Sequence, residues 1–412
     1  MPKKTKIIFI VVFLLAGLII LGVYSYFKNT SNNTTTNKNT SFYEKFNPFG
    51  TSTKTPTTTT PNSKTETQTT KDISKEASRF YKISDFAVAG AAFLEDQRQG
   101  PTINDVAVQT PEIVPSIRYV EKETGHIYQI YLDTKKTGTI SNSTIPSVYE
   151  VFFDGRANST IYRYATEDNK NITSFLATLG GGSNFLPSNI LSISLSPDKN
   201  SYFSLIKNDD GVTGTTSSFD ETKTSKVFTS SFSEWLPQWA TPQGIYLTTK
   251  PSYLVDGDIF SLNITNGTLT KLFGGIPGLT TLANNNGGVV LYSASLTTGP
   301  KLNIFNIKNH SSIDLNTYGL PEKCVWSKDD INVYCAIPNT IVGAQYPDYW
   351  YQGLVSFNDY FVKINTNTRE IITMTNSVNE TPVDAINLFL SKNEDKLFFI
   401  NKKDYTLWSL DL

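Results

Sequence analysis

The chain has 412 residues, with 36 basic and 37 acidic side chains, a net charge of −1, two histidines and two cysteines. Two histidines are too few for a zinc cluster or for most histidine-based triads. Ten lysines against four acids put the stretch 1–76 at +6 and the remainder near −7, and an acidic globular region argues against nucleic acid as a partner, because phosphates call for clustered lysine and arginine.

Residues 1–6 carry three lysines and precede IIFIVVFLLAGLIILGVYSY, an uncharged apolar run at 7–26 about as long as a bilayer core requires. The run reads as a transmembrane helix over 7–27, with the N-terminus cytoplasmic by the positive-inside rule and the rest of the chain outside. A cleaved signal peptide is the competing reading, although the stretch is long for one and ends in no A-x-A site. Residues 28–76 are rich in Thr, Asn, Ser, Lys and Pro; such a composition cannot bury enough apolar surface to offset chain ordering, and it predicts a disordered tether. Inside it the island SFYEKFNPFG breaks the pattern with four aromatic rings, as a docking peptide or a membrane-surface contact would.

From 77 to 412 the apolar runs are short, β-branched or aromatic, and punctuated by Asn, Asp, Gly and Pro, which predicts an all-β domain. Strand–turn–strand units recur in ISLSPDKNSYFSLI, PQWATPQGIYLTT, TTLANNNGGVVLYSA, CVWSKDDINVYCAI and LFLSKNEDKLFFI. Aligning Ser196, Ala240, Asn284, Ser327 and Ser391 gives spacings of 44, 44, 43 and 64, three of them inside the 40 to 45 range of a four-stranded propeller blade. A second hairpin follows each unit, as in GDIFSLNITNGTLTKL. Upstream, Phe153 lies 43 residues before Ser196, and Glu121 a further 32 before that. The count is a seven-bladed β-propeller; six or eight blades would also satisfy the spacing, because the first repeat is short. The last blade has room for three strands, ending in YTLWSLDL, so a strand within 80–95 should complete it, and FAVAGAAFLED from Phe86 is the natural donor.

These units, with their Ser-Pro-Asp turn, resemble the WD-repeat-like and TolB-like propellers, a generic likeness covering 80–412. IRYVEKETGHIYQI, TIPSVYEVFF and YPDYWYQGLVSF resemble membrane-anchored propeller proteins of candidate-phylum bacteria of the Patescibacteria type. The resemblance implies the fold and the anchor and carries no chemistry.

Pairing the strands of CVWSKDDINVYCAI about Asp329 and Asp330 sets Cys324 opposite Cys335, within reach of a disulfide; two buried thiols are the alternative. A four-residue turn would make this the closer kind of cross-strand pair. His126 and His310 read as turn or strand residues, and NDDG at 208–211 and VDGD at 255–258 as solvated turns without a cation loop's ligand spacing. No P-loop, G-x-S-x-G or G-x-G-x-x-G occurs, and neither a metal nor a cofactor is expected. Three acids just ahead of inner strands, Glu234, Glu322 and Asp384, are weak catalytic candidates, since propeller glycosidases use carboxylates at the funnel mouth. The sixth repeat carries about 14 residues more than the fourth between its second and third strands, and Tyr346, Asp348, Tyr349, Trp350 and Tyr351 crowd there. They suit a recognition surface, or a loop that caps its own blade. The sequence reads as an anchored propeller that binds or scaffolds a protein or a cell-envelope glycan; the competing class is a glycan hydrolase of propeller type.

Overall fold

The computed structural model describes residues 79–98, 102–103, 106–107, 111–166, 171–343, 345–375 and 382–412. The apolar run at 7–26, the tether and its aromatic island lie outside the described residues. Among the described residues no helix is long and apolar enough to cross a membrane.

Seven antiparallel sheets of four strands each follow one another along the chain. The first strands of successive blades touch, as Val88–Arg98 does Val148–Phe153, Ile190–Leu195 does Trp235–Thr241, and Cys324–Trp326 does Ala385–Leu390. The core is therefore distributed over seven clusters, each shared by two consecutive blades. Phe203, Leu205 and Phe228 of the third blade, for example, meet Trp235, Ile245 and Leu262 of the fourth.

The ring closes through the N-terminal end of the domain. Phe80–Lys82 pairs with Leu407–Asp411 as the outermost strand of the seventh sheet, Phe80 opposite Leu410 and Lys82 opposite Trp408. The expected donor, FAVAGAAFLED, instead forms the inner strand of the first blade, Val88–Arg98. The three residues FYK are too few to show an alternating pattern, and so the longer, better-patterned neighbour drew the assignment. The same shift explains the short first repeat. Glu121 ends the second strand of its blade, Glu112–Glu121, whereas Phe153 ends a first strand. The first and second strands of that blade are separated by 99–111, which hides their hairpin from a repeat search.

Cys324 and Cys335 form a disulfide with Cα atoms 4.1 Å apart. Four residues, 328–331, separate Ser327 from Asn332, whose backbone atoms pair at 2.8 Å. Counting back three positions, Cys324 and Cys335 are opposed in register at the closer, non-hydrogen-bonded type of site.

Candidate functional site

Strands two and three of the sixth blade, Asn332–Pro338 and Asp359–Asn365, are joined by residues 339–358, on the side from which blades four and five send their own second-to-third connections. This long loop is fastened to three other blades. A single helical turn, Asp348–Tyr351, sets Asp348 to accept from Ser252 Oγ at 2.9 Å and from the Tyr253 amide at 2.6 Å, both on blade four. Ser295 of blade five donates to the Tyr346 carbonyl, and Lys402 of blade seven to the Trp350 carbonyl. Gly278 has a φ of +58°, and a Cβ there would meet Ser295 Oγ at 2.2 Å and the Tyr346 carbonyl at 3.2 Å, so the crossing requires glycine.

Beneath the loop lies a small core of Leu320, Tyr346, Trp350 and Phe357, and beneath that an ion cluster sealed from solvent. Lys323, on the 3₁₀ turn Pro321–Lys323 that opens the inner strand of blade six, has its Nζ 2.5 Å from Asp384 and 2.8 Å from Asp359, with the Ala385 carbonyl at 2.9 Å. All three side chains are 0 % exposed. Asp384 also accepts from Trp350 Nε1 at 3.1 Å, Ser356 Oγ at 3.1 Å and the Phe357 amide at 3.0 Å. Burial alone would push its carboxyl up, but Lys323 and these donors outweigh it and hold the group below the usual carboxylate range. Asp359 takes one bond from Lys323 and one from the Ala385 amide at 2.7 Å through the same oxygen, while Oδ1 has no partner. Burial, reinforced by the negative Asp384 and only partly offset by Lys323, pushes Asp359 up to about 6.

Next to this cluster Tyr351 donates a short hydrogen bond to Glu322 Oε1, while Oε2 is buried without a partner. Burial raises the Glu322 carboxyl despite that bond, and raises the Tyr351 phenol further, with Glu322's charge adding to the effect.

The sequence candidates thus separate. Glu322 and Asp384 flank one sequestered cluster, but Asp384 has its acceptor capacity taken up by a lysine and three other donors and anchors the loop. Glu234 is an exposed residue whose partner is Lys250, at 2.9 Å, on its own blade. Tyr346 and Trp350 are 1 % and 4 % exposed; their rings pack inward against Phe357, with centroids 5.6 and 6.2 Å away. They support the surface and do not form it, and Asp348 is engaged by Ser252 and Tyr253 of blade four. Tyr349 is half-buried, and Tyr351 keeps an exposed face. What the loop does present is aliphatic: Val342 and Leu354, 62 % and 65 % exposed, together with Leu254 and Val255 from the connection that Asp348 grips. Lys323 and Asp359 escaped the sequence reading, because the cluster joins segments remote in the chain, Lys323 being separated by 61 residues from Asp384. A lysine next to a glutamate just ahead of an inner strand was the only local hint.

No family model matches the chain, and no curated protein matches it. Solved structures similar to it include TolB from Acinetobacter baumannii, 10 % identical over 78 % of this chain and 80 % of that one, at a TM-score of 0.40. An oligogalacturonate lyase from Vibrio parahaemolyticus is 10 % identical over 80 % and 98 %, at 0.49. The β-propeller domain of the Trilobed protease from Pyrococcus furiosus, described as having an open velcro topology, is 12 % identical over 72 % and 90 %, at 0.48.

Proposed function

We propose that the chain is a binding module: a propeller held by its N-terminal apolar run outside the cytoplasm, which presents the face built around residues 339–358 to a protein partner. The observation that carries this reading is the loop itself. It is fastened to blades four, five and seven by Asp348, Tyr346, Trp350 and Asp384, so that it costs little further ordering on binding. Its outward residues, Val342, Leu354 and the exposed side of Tyr351, lie with Leu254 and Val255 on one face. Aliphatic side chains grouped this way suit the core of a protein interface. A glycan would call for exposed aromatic faces, and of the four rings crowded in the loop Tyr346 and Trp350 are packed inside, which leaves Tyr351 with an exposed face.

Cross-linking of the full chain in its native membrane should recover a partner through the wild type and lose it with Leu354→Glu combined with Val255→Glu. A buried contact of this kind is worth roughly 2 kcal/mol, about thirtyfold in affinity. A partner held equally well by the double variant overturns the reading. So does turnover of a glycan panel that Glu322→Gln abolishes, which would install the hydrolase in its place.

A further inference from the structure

On the opposite side of the ring, where first and second strands of each blade are joined, the central channel opens into a cavity of about 800 Å³ bounded by blades three to seven. Its apolar walls include Trp239, Trp326 and Phe389, and three lysines stand around it, Lys199, Lys328 and Lys392. A second cavity of about 200 Å³, among the inner strands of blades one, two and seven, shares Lys199 and Phe389 with the first, so the Lys199 side chain stands between the two.

The turn fixes the backbone that carries Lys199. Ser196 Oγ donates to Asp198 at 2.6 Å, Asp198 accepts the Asn200 amide at 3.0 Å, and Lys199 has a φ of +55°. Lys392 pairs with Glu95 at 2.6 Å, and Glu394 accepts the backbone amide of Lys328 at 2.5 Å. Among the described residues Lys199 has no carboxylate partner. Lys199 is exposed at its turn and lines both cavities, and burial pushes its ammonium below the ordinary lysine range. Trp239 lines the same cavity, and its buried indole N–H has no acceptor. Among the described residues Lys199 therefore stands beside an apolar wall without an ion pair, as does Lys328, in an acidic domain.

We propose that this cavity binds a monoanionic ligand in which a carboxylate adjoins an apolar group, with Lys199 as counter-ion and Trp239, Trp326 and Phe389 as the wall. A free aromatic acid and the C-terminal carboxylate of a peptide share that chemistry. The test titrates the full chain with phenylacetate and its neutral analogue phenylacetamide, and with a short peptide ending in phenylalanine, free or amidated. Calorimetry reads the binding. Phenylacetate should bind at millimolar concentrations and phenylacetamide should not; Lys199→Met should weaken the acid by at least about tenfold, the worth of a charge-assisted hydrogen bond, and Lys199→Arg should restore it. Tighter binding of the free peptide than of phenylacetate assigns the site to a chain terminus; tighter binding of phenylacetate assigns it to a small acid. In parallel, acetylation of Lys199 in the unaltered protein, followed by mass spectrometry, should be slowed by phenylacetate and not by phenylacetamide, a readout that does not depend on any variant folding. Equal binding of acid and amide, undiminished binding by Lys199→Met, or unprotected Lys199 overturns the proposal.

Discussion

Lys323 faces Asp359 and Asp384 in a compartment closed by Trp350 and Phe357, so two carboxylates compete for one buried cation. The competition is unequal: Asp384 has four kinds of donor and Asp359 two bonds on one oxygen. Asp359, at about 6 in the folded protein, keeps a proton that the unfolded chain releases near pH 4, so its share of stability falls as pH rises from about 4 to about 6. Asp384 works in the other direction: its contribution is present above the unfolded carboxylate range and is lost as pH falls through its lowered folded value. Asp359→Asn should therefore gain on the wild type across pH 4 to 6, by on the order of 2 kcal/mol in urea unfolding. Asp384→Asn should lose about 3 kcal/mol at pH 7, because it leaves Lys323 poorly paired in a dry site. Matching costs and matching pH profiles for the two variants would refute the division of labour. Glu322 and Asp384 were legible as acids ahead of inner strands; what they bond to was not, since a charge pair formed across blades leaves no periodic trace in the chain.

The loop at 339–358 announced itself by length, and its aromatic content by composition. Which way those aromatics turn depended on a single helical turn and on anchors contributed by Ser252, Tyr253, Ser295 and Lys402, all on other blades. Trp350→Ala should accordingly behave as a core substitution, costing about 3 kcal/mol and exposing 339–358 to proteolysis. Leu354→Ser on the same loop should shift melting by no more than about 0.5 kcal/mol, because that side chain faces water. Equal effects from the pair would mean the loop is not held as described. The cysteine hairpin was more accessible to sequence reasoning, because its partners are 11 residues apart and only the turn length was open. Thiol labelling of the unreduced, denatured chain should find no free cysteine; reducing it should remove up to roughly 3 kcal/mol, the loop-closure worth of a ring this size.

At the scale of the whole ring, seven clusters that each belong to two blades make the fold depend on closure, since an open ring would leave one blade pair with its cluster exposed. Blade period and blade number were readable because the four-stranded unit repeats in sequence. The closing strand was not, because Phe80–Lys82 is very short and gains its meaning from partners at the far end of the domain. Phe80 sits against Phe361 of blade six and Phe399 of blade seven, with centroids 5.7 and 6.2 Å away. The Ile83 amide extends the seam by donating to the Leu407 carbonyl at 2.8 Å. Tyr81→Pro disturbs the middle of this strand, opposite Ser409, and deletion of residues 80–82 removes the strand altogether. The substitution should cost about 3 kcal/mol, combining a broken ladder with displacement of the Phe80 ring. The deletion should leave Leu407–Asp411 as an unpaired edge, so that the protein melts earlier and self-associates by sheet addition. Phe86→Ala, in the connection between the closing strand and the first blade, tests the rejected donor: it should leave the protein monomeric and lower melting only through its contacts with Tyr119 and Tyr128. Light scattering and thermal unfolding of the three variants decide the matter. A deletion that stays monomeric and melts with the wild type would mean that the ring does not close through Phe80–Lys82.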